Sequence, residues 1–138
     1  MKKISLIAVL LSTMLFSCKK DDEKCELSQP AFVGSYKVTA IKYKANTATP
    51  EIDDYASLPA CEKDDVITFN SNGSTTYTDA GTVCVPDGND TGTWSLTGST
   101  MVIDTQIATV TYFDCNGTTF TFAGTVAGEL TTVSLARQ

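Results

Sequence analysis

Apolar residues recur at every second position in several short runs of this chain: Ile67 and Phe69; Trp94 and Leu96; Ala108, Val110 and Tyr112; Phe120 and Phe122. The positions between them carry Thr68, Thr93, Ser95, Thr109, Thr111, Thr119 and Thr121. A period of two puts one set on one face of a strand and the other set on the opposite face. Threonine is β-branched yet polar, so it suits a pleated face that meets water. The pattern predicts strands over 33–44, 65–70, 74–79, 92–97, 100–105, 107–113, 118–123 and 129–135. Only 53–58 reads as a helical turn. Between the strands lie Ser71-Asn72-Gly73, Pro86-Asp87-Gly88-Asn89, Gly98-Ser99, Asn116-Gly117 and 124–128, all of which have turn chemistry. The expected class is all-β. Eight short strands with mostly short connections favour an antiparallel up-and-down arrangement, and closing it into a barrel removes the exposed edges. A two-sheet sandwich is the second choice.

The N-terminus follows a different pattern. Lys2 and Lys3 precede a mostly apolar run from Ile4 to Phe16. As a helix that run is about 20 Å long, short of the ~30 Å hydrocarbon core of a bilayer. Residues 1–17 therefore read as a signal peptide. Leu15-Phe16-Ser17-Cys18 resembles the bacterial lipobox, which implies that Cys18 becomes the lipidated N-terminus and carries palmitate-type acyl chains. Two or three chains on one cysteine suffice for stable anchoring. Residues 18–29 form a charged tether, and its Lys20-Asp21-Asp22 resembles the export signal of Gram-negative surface lipoproteins. The expected address is the outer membrane, with the cell surface favoured over the periplasmic side. The globular domain is expected over 30–138.

Four cysteines remain after Cys18: Cys25, Cys61, Cys84 and Cys115. An even number in an exported chain reads as two disulfides. Cys61 and Cys84 are nearly equidistant from Asn72 at the tip of a predicted hairpin, which brings them opposite each other and leaves Cys25 for Cys115. No CxxC occurs and the spacings are wide, so no metal site is expected.

Composition narrows the function. There is no histidine, which removes every Ser-His or Cys-His pairing. The net charge is −6, and about −8 once Lys2 and Lys3 are lost, which argues against a nucleic-acid partner. The acids cluster in loops and turns rather than facing one another across a strand-built cleft, so neither an enzyme nor a cofactor is expected. Asp87-Gly88-Asn89-Asp90 is similar to the first half of a calcium loop, but Gly98 stands where the bidentate acid belongs; a turn explains it better.

Gly34-Ser35-Tyr36 opening the first strand resembles the Gly-x-Trp opening of the lipocalins, with Tyr36 in the tryptophan's place. Residues 61–73, the later Cys84, and Gly92-Thr93-Trp94-Ser95-Leu96 resemble the lipocalin-like domains of Gram-negative lipoproteins. The resemblance implies a barrel that binds a small apolar molecule, with Ile52, Tyr55 and Leu58 of the long 45–63 loop placed to cover its mouth. Tyr36, Phe69, Trp94, Tyr112 and Phe120 are then the candidate ligand contacts. The competing reading is a barrel filled by its own side chains that serves as an interaction module in an envelope complex, its protein partner unknown. A cavity separates the two.

Overall fold

The computed structural model describes residues 25–138; the expected signal peptide over 1–17, Cys18 and residues 19–24 lie outside the described residues. Each alternating run becomes a strand. In chain order these are β1 (Gly34–Lys44), a short β2 (Ile52–Asp53), β3 (Val66–Phe69), β4 (Ser74–Thr78), β5 (Asp90–Thr97), β6 (Thr100–Ile103), β7 (Gln106–Asp114), β8 (Gly117–Ala123) and β9 (Leu130–Arg137). Strands β3 to β9 pair antiparallel with their sequence neighbours, β1 pairs with β3, and β1 also pairs with β9, closing the sheet. The result is an eight-stranded barrel, with β2 as an extra strand beside the far half of β1. Closure settles the choice between barrel and sandwich.

Two bulges change which residues point inward. In β1 the pairing with β9 slips between Val38 and Ala40, so the inward position passes from Tyr36 and Val38 to Ile41. In β7 it slips between Val110 and Tyr112. An extra residue reverses the faces of everything beyond it. Tyr112, expected inside with Val110, is therefore outside and 54% exposed. Phe113 takes the inward place and stacks on Phe32.

The up-and-down order sends alternate connections to opposite ends. The tight turns before β4, β6 and β8 lie at one end, together with a helix that the alternation does not predict, α1 (Gln29–Phe32). Ser28 caps α1 through its side chain and Pro30 sits in its first turn, a favoured start for a helix. Phe32 is fully buried, with the rings of Tyr36, Phe69, Trp94 and Phe113 at 5.0–5.6 Å. The Tyr36 hydroxyl donates to Phe32 O at 2.9 Å. Arg137, from the last strand, lies over the Tyr36 ring and donates to Ala31 O and Val33 O, holding the helix in place. A Cβ at residue 34 would stand 2.8 Å from that guanidinium, so glycine is needed there. The Cys25–Cys115 disulfide ties the incoming segment to the β7–β8 turn, and Leu27 packs on the core. Among the described residues, 25–29 thus pack with the plug, although the sequence places them in the tether.

Candidate ligand-binding site

The other end of the barrel is built differently. Here lie the long loop 45–65, with its helical turn α2 (Asp54–Ser57), the 79–89 loop, the Asp104-Thr105 turn and the 124–129 loop. The Cys61–Cys84 disulfide fastens the first two of these together. Three aspartates shape the 79–89 loop by accepting backbone N–H groups. Asp79 accepts from Cys84 and Gly88, Asp65 from Ala80, and Asp64 from Thr82. Burial raises the Asp65 carboxyl above its ordinary value; the Ala80 N–H counters this, and the neighbouring Asp79 and Asp64 add to the rise.

Below these loops the inward side chains no longer meet. A compartment of about 540 Å³ opens among Val38, Ile41, Leu58, Ile67 and Tyr77, roofed by the two disulfide-linked loops. A second, of about 370 Å³, shares Val38, Ile41, Ile67 and Tyr77 with it and reaches Ile103, Phe120, Phe122 and Val133. The space is apolar on its walls and sits directly above the aromatic plug. Four acidic residues, Glu62, Asp65, Asp90 and Asp104, also border the larger compartment. Tyr77 is pushed above the ordinary phenol value, mainly by burial, with the carboxylates of Asp104 and Asp90 acting the same way; Thr75, close by, offsets part of the rise. At neutral pH its hydroxyl remains a hydrogen-bond donor.

The structure separates the five residues proposed as ligand contacts. Tyr36, Phe69 and Trp94 belong to the sealed core; Trp94 is only 4% exposed and its indole N–H donates to Asn70 O at 2.9 Å. None of the three borders the open compartments. Tyr112 is outside the barrel, its hydroxyl donating to the Asp114 carboxylate. Phe120 alone reaches the cavity wall. Of the loop residues, Leu58 lines the mouth, whereas Ile52 is exposed in β2 and Tyr55 lies under the Lys63 ammonium. The residues that do form the wall, Val38, Ile41, Ile67, Tyr77, Ile103 and Phe122, sit on the same inward alternation one step nearer the mouth.

The barrel is thus a closed eight-stranded meander, filled at its base and open in its upper half. Residues 32–128, from the end of α1 into the last loop, match the family model described as a lipocalin-like domain. The chain belongs to this family. Lipocalin-like barrels are typically binding folds rather than catalysts. No curated protein and no solved structure matches the chain. Among the described residues, no group of three or more His, Cys, Asp or Glu side chains is placed to hold a metal ion. In the calcium-like stretch, Asn89 instead accepts the Asp79 N–H.

Proposed function

We propose that this chain is a lipid-anchored outer-membrane protein whose lipocalin-like barrel holds a small, mostly apolar molecule in its open half. The observation that carries the reading is the paired compartments above the plug, of about 540 and 370 Å³, which share one apolar wall. Cavities of this order match the volume of small ligands. The rival reading, an interaction module with a filled barrel, needs side chains to occupy that space, and they fill only the lower half. The lipobox-like run ending at Cys18 supports the anchor, and the charged residues 19–24 would hold the barrel away from the bilayer.

A neutral solvatochromic dye tests the binding reading. It should bind saturably, and Val38→Trp, which projects a large ring into both compartments, should weaken binding at least tenfold while leaving the protein folded. A folded protein that binds no neutral apolar dye would contradict it. The anchor is tested separately: a Cys18→Ala precursor should lose its acyl mass and its partition into membranes.

A further inference from the structure

Large hydrophobic side chains that stay in water are gathered at one end of this barrel. Ile52, Val83, Ile107 and Val126 are each more than half exposed, Leu130 is exposed as well, and Val85 is 98% exposed. They come from every connection at the mouth: Ile52 from the long 45–65 loop, Val83 and Val85 from the 79–89 loop, Ile107 just after the Asp104-Thr105 turn, and Val126 and Leu130 from the 124–129 loop and the start of β9. Along part of the rim they are continuous, since Ile107 and Leu130 line one shallow groove with Ala123 between them, and no charged side chain borders it. The sealed end differs. Its turns are Asn-Gly and Gly-Ser, and Tyr112 is the one large hydrophobic exposed there among the described residues. Single exposed apolar residues are ordinary, but a set gathered around one opening marks a contact surface.

Charge decides what can sit there. Exposed acids stand among these residues: Glu51, Asp53, Glu62, Asp87, Asp90 and Asp104. Of the lysines at this end, Lys42 is paired with Glu51 at 3.0 Å, and Lys63 donates to Ala56 O and lies over the Tyr55 ring, so among the described residues only Lys44 is left to offset them. A second copy would bring the same acids face to face, and an anionic bilayer would repel them. The path of the chain argues the same way. The N-terminal segment is tied to the sealed end by Cys25–Cys115, and the seven residues from Cys18 to Cys25 reach at most about 25 Å. An anchor at Cys18 therefore holds the sealed end toward its bilayer and turns the mouth away; this step alone rests on the anchor proposed above.

We propose that the mouth is the docking face for a second protein, one whose contact surface is apolar at its centre and rich in lysine and arginine at its edge. The aliphatic rim supplies the area to be buried, and the acids between select and orient the partner. Seated there, the partner covers the opening of the larger compartment.

The test places the photo-crosslinker p-benzoylphenylalanine at Val85, at Val126 or, on the sealed end, at Ser71 of the full chain in its own cells. Irradiation should join one and the same protein to the Val85 and Val126 positions and not to Ser71. That protein, identified by mass spectrometry and purified, should bind the mature chain with an affinity that falls about tenfold between roughly 0.05 and 0.5 M salt. Val85→Ser combined with Val126→Ser, both at exposed positions, should weaken binding by about tenfold while leaving the fold intact. Adducts to phospholipid or to a second copy, equal capture from Ser71, no adduct at all, or binding indifferent to salt and to the double variant would each overturn the proposal. Acyl mass on the same chain reads the anchor separately: its absence would remove the anchor and the orientation of the mouth, and the cross-links would still decide the docking face.

Discussion

At the sealed end of the barrel Phe69 is wedged against Phe32 at 5.0 Å and Trp94 at 5.2 Å; two residues earlier on the same strand face, Ile67 borders open space. The two ends share one sheet, one alternation and one set of residue types. What differs is what enters from outside the strands. At the base a four-residue helix delivers Phe32 into the lumen, and Arg137 and a disulfide hold it there. At the mouth the loops arch over the opening and are fastened to each other, not to the barrel floor. A small barrel becomes a solid core or a container according to whether a terminal segment is inserted.

The comparison can be broken most forcefully at the disulfides. Cys25–Cys115 closes a span of 90 residues and fixes the plug, so replacing both cysteines by serine should cost about 4–5 kcal/mol. Cys61–Cys84 spans 23 residues, and its loss should cost about 3–4 kcal/mol while loosening the mouth, seen as faster ligand release. Denaturant melts that rank the two the other way would undo the assignment of structural and functional ends. Next comes a matched pair of truncations. Phe32→Ala should destabilise by about 3–5 kcal/mol because it opens a hole in a filled core. Val38→Ala, beside a space already empty, should cost no more than about 1.5 kcal/mol and act mainly on binding.

Trp94 offers a subtler probe. It lies in the plug and not on the cavity wall, so its emission should be blue-shifted and almost unchanged when the upper half is occupied. A large ligand-dependent change would mean that the plug moves on binding.

The smallest expected effect is electrostatic. The Asp114 carboxyl, at the sealed end, is held below its ordinary value by the Tyr112 hydroxyl and by the N–H groups of Asn116 and Gly117. A depressed folded-state value means that its contribution is present above the unfolded-state pKa and is lost as pH falls through the folded one. Asp65, at the mouth, is raised by burial and by its acidic neighbours, so its ionised form opposes folding and acidification relieves that cost. A carboxyl NMR titration should find Asp65 protonating at a higher pH than Asp114.

Much of the barrel was legible because a period of two runs through β3, β5 and β8 and through β7 up to its bulge, and Asn-Gly or Gly-Ser marks the turns before β4, β6 and β8. Both cysteine pairs were legible because hairpin symmetry fixes one of them. The plug was not. Four residues are too few for a helical period, and the Ser28 and Pro30 signals sat inside a stretch whose charge suggested a tether. Tyr112 was misplaced because a bulge leaves no mark in a threonine-rich strand. Tyr36, Phe69 and Trp94 fall in the filled base, whereas Phe120 reaches the cavity wall, because alternation shows which side chains point inward but not how far along the axis the filling stops. Phe69 and Ile67 carry the same signal and have opposite surroundings.

Methyl NMR mapping during titration with a small neutral apolar ligand such as octanol tests the two-ended barrel most directly. The prediction is saturable shifts at Val38, Ile41, Ile67, Ile103 and Val133, with Leu135, Met101 and the ring signals of Phe32 and Tyr36 unmoved. Shifts spread through the plug, or confined to the outer face around Ile107 and Leu130, would contradict the account.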